Sequence, residues 1–166
     1  MSTDAIVLLR DDHKSIRKLF RDFEKAGPNA VKRKGQIADK IITALTVHTY
    51  IENEGMYPQV RDRVPELESD VLESYEEHHV ADLLVMELVT MSPDAERFDA
   101  KMTVLIENVE HHIQEEEDEW FPKVLEALGR KQLREIGEHL LELKEKAPTS
   151  PAQPSALKKT LDAIVK

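Results

Sequence analysis

The sequence predicts an all-α protein, an antiparallel up-down-up-down four-helix bundle with a helical extension at its C-terminal end. Apolar residues recur at steps of three and four along four successive segments, which is the spacing of one face of an α-helix. Short stretches with proline or glycine separate the segments, as in an up-down bundle. With 5 glycines and 5% aromatic residues among 166, the composition disfavours a sheet protein rich in turns.

The first two predicted helices each place one histidine on an apolar stripe. The first covers residues 3–26, ends at a Gly-Pro pair, and has a stripe of Ile, Leu and Phe residues that only His13 interrupts. We expect the second helix to stop before Pro58, because the residue that precedes a proline is disfavoured in the helical region. The stripe of this second helix ends with His48 and Glu52.

The third predicted helix, residues 65–89, contains two adjacent histidines. Neighbouring residues on a helix point about 100° apart, so His78 and His79 cannot face the same spot. We favour His79 as the inward histidine, because Tyr75, one turn earlier, offers a second donor. His78 is kept as the alternative.

The fourth predicted helix repeats the ending of the second. The stretch HTYIENEGMYP begins at His48, and the stretch HIQEEEDEWFP begins sixty-four residues later at His112. Each has His-x-x-x-Glu followed by an aromatic residue and proline, and we interpret the aromatic residue, Tyr57 in the first copy, as part of the core. Because residues four apart share one helix face, Glu52 and Glu116 each lie beside their histidine on the inward stripe.

A C-terminal extension is predicted beyond the fourth helix, which covers residues 95–121. We place the bundle in residues 1–128 and the extension in residues 129–166. The extension is expected to contain an amphipathic helix over 130–146, a linker rich in proline and serine, and a short helix over 155–166.

Carboxylates and imidazoles on inward stripes indicate a metal site. A charged carboxylate buried without a partner costs several kcal/mol, and a cation removes this cost. Two carboxylates and several histidines that converge in a bundle core form the ligand arrangement of di-iron and di-manganese proteins. His13 on the first helix, and His79 or His78 on the third, would complete the set.

Composition excludes several other functions. The net charge of −10 disfavours non-specific binding to nucleic acid or anionic lipid. The chain has no cysteine, which excludes disulfides, thiolate metal sites and cysteine nucleophiles. No apolar stretch has the length of a membrane span, and the N-terminus lacks the pattern of a signal peptide. We therefore expect a cytoplasmic protein, a monomer or weak homodimer, whose partners are small molecules.

The motifs resemble those of hemerythrin-like proteins, the HHE cation-binding domain family, and among these the actinobacterial and mycobacterial type. The resemblance rests on Asp12-His13, on EEHH at residues 76–79 and on the two repeated stretches, HTYIENEGMYP and HHIQEEEDEWFP, and it covers residues 4–128. It implies a four-helix bundle around two iron ions that share an oxo or hydroxo bridge.

The resemblance also implies a role for each ligand. By the family pattern, one iron binds the histidines of the first two helices, and the other binds those of the last two. The two glutamates bridge the ions. The implied set, with both candidates on the third helix and the possible phenolate included, is His13, His48, Glu52, His78, His79, His112, Glu116 and Tyr75.

One departure from the family bears on function. The oxygen carriers of the family have His-x-x-x-His on the third helix, whereas this chain has Tyr75 or Ser74 four residues before its histidines. A phenolate favours ferric iron, which disfavours reversible dioxygen binding. Catalase-like breakdown of hydrogen peroxide is known among actinobacterial hemerythrin-like proteins, so the resemblance implies it here, in oxidative-stress defence. The alternative is a carrier or sensor that binds dioxygen, nitric oxide or iron without turnover.

Overall fold

A computed structural model describes residues 2–151 of the chain, so the short helix expected over 155–166 lies outside the described residues. Two segments of π-helix join pairs of α-helices without a break in the chain of helical turns. The elements are α1 (Ala5–Lys25), α2 (Val31–Ile51), π1 (Glu52–Met56), α3 (Tyr57–Arg63), α4 (Glu68–Val89), α5 (Phe98–Glu115), π2 (Glu116–Trp120) and α6 (Phe121–Lys146).

Four helical rods form the bundle. The second rod is α2 continued through π1 and α3, and the fourth is α5 continued through π2 into the first part of α6, while α1 and α4 are the other two. This architecture confirms the prediction of an all-α up-down-up-down bundle with a helical extension. Within residues 2–151, the helices lack the combination of length and apolar character that a bilayer crossing requires.

The core consists of two apolar clusters with a polar layer between them. α1 passes through all three, since Leu9 belongs to the first cluster, Ile16 to the second, and His13 lies between them. The first cluster contains Tyr57 and Trp120 from the second and fourth rods. Each rod therefore contributes apolar side chains above and below the level of its histidine.

The π1 segment carries the second rod past Pro58, so our expectation that this helix stops there is wrong. The N–H of Tyr57 donates to the carbonyl of Glu52, five residues earlier, and Pro58 falls in the first turn of α3, where proline is tolerated. In the same five-residue pattern, the N–H of residue 58 would donate to the carbonyl of Asn53, but Pro58 has no N–H. The hydroxyl of Tyr75 donates to that carbonyl instead, at 3.2 Å.

The π2 segment passes a proline in the same way. The N–H of Phe121 donates to the carbonyl of Glu116. Pro122 has no N–H for the carbonyl of Glu117, which accepts Nη2 of Arg10 at 3.3 Å. Side chains from α4 and α1 thus replace the two missing backbone donors, and both rods remain continuous.

The second half of α6 forms the extension and packs back on the bundle. The helix bends at Gly129, whose φ of 72° is a conformation that suits glycine. Beyond the bend, Leu133, Ile136 and Leu140 join the first apolar cluster. Position 137 requires glycine, because a Cβ there would lie 1.6 Å from the carbonyl oxygen of Thr3.

Candidate metal centre

Four histidines and two glutamates meet in the polar layer, and each is at most 6% exposed. Their ligand atoms fall into two groups, and within each group the atoms lie within 4.8 Å of one another. The first half of the centre consists of His13, His48, Glu52 and Glu116, and the second half contains Glu52, His78 and His112. Glu116 also reaches the second half through its other oxygen.

Each glutamate divides its two oxygens between the halves. The distances between a carboxylate oxygen and the nearest imidazole Nε2 fall between 3.1 and 3.4 Å: Glu52 Oε1 to His48 3.3 Å, Glu52 Oε2 to His78 3.1 Å, Glu116 Oε2 to His13 3.3 Å, and Glu116 Oε1 to His112 3.4 Å. A carboxylate that touches both groups in this way has the geometry of a bridge between two cations.

The first half contains buried polar atoms that need a partner. Four of them have no hydrogen-bond partner among the described residues: His13 Nε2, His48 Nε2, Glu52 Oε1 and Glu116 Oε2. Buried polar atoms are normally paired, because leaving them unpaired costs free energy. Two imidazole nitrogens and two carboxylate oxygens are donors that transition-metal cations accept. The residues of this half therefore fit a bound cation.

Every imidazole of the centre is held by a partner on its Nδ1 atom. These N–H groups donate from His13 to Glu117 at 2.9 Å, from His48 to Asp12 at 3.4 Å, from His78 to Asn53 Oδ1 at 2.8 Å, and from His112 to Glu77. Such a partner fixes the tautomer and turns the Nε2 lone pair inward, as is usual for histidines that bind metals.

The centre is built from two copies of one pattern. The offset of sixty-four residues relates the second rod to the fourth, and an offset of sixty-five relates α1 to α4. Equivalent residues make equivalent contacts: Asp12 and Glu77 each bond the histidine of the next rod, and Arg10 and Tyr75 each satisfy a carbonyl that a proline leaves unpaired. The two halves are thus related by an approximate twofold repeat.

Burial and mutual charge shift the pKa values of the ligands. Burial and the neighbouring Glu116 raise the pKa of Glu52 to about 7. Burial lowers the pKa of His78 well below its usual value, and the charge of His112 acts in the same direction. Burial opposes the charge on His112, but the carboxylates of Glu116 and Glu77 raise its pKa to about 9. Protons therefore compete with a cation for this centre, and metal binding will release them.

Tyr57 is the residue of the centre that our sequence analysis missed. Its hydroxyl donates to Glu116 Oε1 at 2.8 Å and lies 3.1 Å from Nε2 of His78 and 3.3 Å from Nε2 of His112. Burial and the two site carboxylates raise the pKa of this phenol well above its usual value. The sequence signal for Tyr57 was that it replaces, with a phenol, the phenyl ring of Phe121 at the equivalent position of the repeat.

We considered Tyr75 as a donor, and in the structure its hydroxyl is bonded to the protein backbone. Its half-buried side chain directs the hydroxyl to the carbonyl of Asn53. The tyrosine whose hydroxyl contacts Glu116, His78 and His112 is Tyr57.

On α4, the histidine that the structure brings beside Glu52 and His112 is His78, and not the favoured His79. The inward face of α4 is the one that carries His78, which is 3% exposed. The stripe of His79 lies nearer the surface, since His79 is half-buried and Leu72 and Leu83 are 46% and 39% exposed.

Comparison with known proteins agrees with this geometry. Residues 4–124 match the model of the family described as hemerythrin HHE cation binding domain. The chain belongs to this family. Membership implies that the His/Glu cluster binds a cation, typically iron, and it confirms the resemblance drawn from the motifs.

Two relatives extend the comparison. A solved structure of a hemerythrin HHE cation binding domain-containing protein from Mycobacterium kansasii has a TM-score of 0.72 and 22% identity, and the match covers 86% of each chain, which shows the shared fold. A DNA nickase from Nostoc sp. (strain PCC 7120 / SAG 25.82 / UTEX 2576) is 27% identical over 125 residues. The match covers 75% of this chain, but the chain spans about a third (34%) of the length of that relative.

Exchanging the adjacent histidines for alanine tests the assignment on α4. We expect His78→Ala to lower the affinity for Fe²⁺ by at least about 10-fold, because losing a ligand costs no less than losing the partner of a ligand. His79→Ala is the matched control and should bind as the wild type does. Anaerobic equilibrium dialysis measures both, and the opposite order of affinities would contradict the assignment.

Proposed function

We propose that the chain is a non-haem di-iron protein that breaks down hydrogen peroxide in a catalase-like reaction, as part of oxidative-stress defence. One iron would occupy each half of the centre, with an oxo or hydroxo group and the carboxylates of Glu52 and Glu116 between them. The observation that carries the proposal is that each of these carboxylates has one oxygen beside the histidines of each half.

The spacing of the donors in the second half supports coordination by Tyr57. Ligand atoms at right angles around an ion with bonds of about 2.1 Å lie about 3 Å apart. The Nε2 atoms of His78 and His112 are 3.0 Å apart, and the Tyr57 hydroxyl lies 3.1 and 3.3 Å from them. We therefore assign to Tyr57 the phenolate role that we first considered for Tyr75, with loss of its proton when the ion binds.

The first half would leave a coordination position for a ligand from solution. Phe121 takes the place equivalent to Tyr57 and stacks on the ring of His13 with centroids 5.8 Å apart. A phenyl ring offers no ligand atom, so this half has four protein donors where the second half has five. We assign the binding position of peroxide to the first half for this reason.

The surroundings of the centre restrict what reaches it. A cavity of about 90 Å³ is lined by exposed residues, including Glu73 and Glu119, and by the buried His112 and Glu116. This volume is well above the roughly 10–15 Å³ that a single water molecule requires. The cavity meets the centre at His112 of the second half and at Glu116, whose other oxygen lies in the first half. A neutral molecule as small as hydrogen peroxide fits this passage, while its acidic edge repels anions.

The proposed reaction needs no outside reductant. One peroxide molecule takes up two electrons and two protons and becomes two waters, while a second gives up the same electrons and protons and becomes dioxygen. When bound, the iron pair would supply and recover the two electrons. The chain holds the ligands in place through the Nδ1 partners, and the apolar clusters on either side exclude larger molecules.

Removing one bridging carboxylate tests whether two ions share it. After anaerobic reconstitution, we expect about two irons per wild-type chain, and fewer than one in Glu52→Gln or Glu116→Gln, because each change removes a donor from both halves. Glu54→Gln, at an exposed position of π1, should keep two irons. Metal analysis of the purified variants provides the measurement, and a loss of one iron only would argue against bridging.

Optical spectra test the assignment of Tyr57. The ferric protein should show a visible absorption band from a phenolate bound to iron. We expect Tyr57→Phe to abolish this band and Tyr75→Phe, the matched control, to keep it. A band that persists in Tyr57→Phe would remove this residue from the ligand set.

Oxygen evolution tests the reaction itself. The iron-loaded protein should release one dioxygen for every two molecules of peroxide consumed, as measured with an oxygen electrode. The metal-free protein should release none, and His78→Ala should lose most of the rate. A reversible dioxygen adduct without peroxide turnover would instead assign a carrier.

A further inference from the structure

The two halves of the centre differ in the residue that follows each bridging glutamate. Asn53 follows Glu52 and Glu117 follows Glu116, so the pair occupies one position of the repeat. Both make the same contact, because each accepts the Nδ1–H of a histidine on another rod. The acceptor is a neutral amide oxygen in one half and a carboxylate in the other.

The charged residues near Asn53 and Glu117 also differ between the two halves. Glu117 is stabilised by Arg17, whose Nη1 donates to it at 2.9 Å. The position equivalent to Arg17 in the repeat holds Asp82, an acid instead of a base. Asn53 is 6% exposed, so a carboxylate at this position would be a buried anion, which costs free energy.

The other two Nδ1 partners do not differ in this way. Asp12 bonds His48 and is itself bonded by Lys144 at 2.6 Å, and its counterpart Glu77 bonds His112. Both are carboxylates. The amide of Asn53 is therefore the one exception among the four partners.

We propose that Asn53 is a positioning residue that orients His78 through a neutral acceptor and thereby makes the second half of the centre electronically different from the first. A carboxylate on Nδ1 makes an imidazole a stronger donor to a metal, whereas an amide orients the ring without this increase. This inference rests on the proposed di-iron centre. In that centre, the second half already contains the phenol of Tyr57. The neutral partner keeps a further anion away from that half.

The reduction potential of the iron-loaded protein distinguishes this role from a purely structural one. Asn53→Asp keeps an oxygen acceptor at the same place, adds a negative charge, and should shift the midpoint potential to a more negative value. Glu117→Gln makes the reverse exchange in the first half and should shift it to a more positive value. Asn29→Asp adds the same charge at an exposed position between α1 and α2 and should leave it unchanged. Equal potentials for Asn53→Asp and Asn29→Asp would overturn the proposal.

A second measurement does not depend on iron. In the metal-free protein, ¹⁵N NMR of the His78 ring should show the tautomer with its proton on Nδ1, and Asn53→Leu should abolish the preference because it removes the acceptor. The affinity of Asn53→Leu for Zn²⁺ should fall about 10–100-fold, as is usual when such a partner is lost. A wild-type His78 with its proton on Nε2, or unchanged Zn²⁺ affinity in Asn53→Leu, would refute the role of Asn53. Neither result would depend on peroxide activity, so the two proposals can fail separately.

Discussion

Burial of two glutamates and four histidines in one layer is the constraint on which the rest of the molecule depends. Six polar side chains at most 6% exposed would destabilise a bundle unless each atom had a partner. On the outward side of each ring, an Nδ1 partner from a neighbouring segment meets this need. On the inward side, four atoms of the first half converge without one. These four atoms form a donor set that fits a cation, so cation binding would stabilise the folded bundle.

The π segments explain how Glu52 and Tyr57, five residues apart on one rod, both reach this layer. Hydrogen bonds from residue i to i+5 widen the turn, so residues five apart, rather than four, lie above one another. Glu52 begins π1 and Tyr57 follows it, and both reach the second half. The prolines are related to the π segments, because in a π-helical turn the missing proline N–H leaves unpaired the carbonyl five residues earlier. Tyr75 and Arg10 then provide the donors from outside the rod.

The sequence was sufficient for the bundle and for five positions of the centre, because α-helical spacing placed His13, His48 and His112 on inward stripes and the repeat added both glutamates. It was insufficient where that spacing fails or is ambiguous. The regular α-helical period gives no reason to place Tyr57 beside Glu52. The rule that a helix stops before proline wrongly ends this helix at Pro58. On α4 apolar residues occupy both faces, with Leu72, Leu83 and Met86 36–46% exposed, so the pattern alone could not separate His78 from its neighbour.

The twofold repeat has a consequence for how such a centre can change in evolution. Each helical hairpin supplies two histidines and one glutamate, and neither half of the centre is complete without a side chain from the other hairpin. A gene for one hairpin would therefore need a second copy, joined or separate, before it could enclose a pair of ions. Once the copies are fused, one can acquire a new residue while the other preserves the ancestral arrangement. In this chain, Asn53 and Tyr57 differ in chemistry from their counterparts Glu117 and Phe121, as such a history would allow.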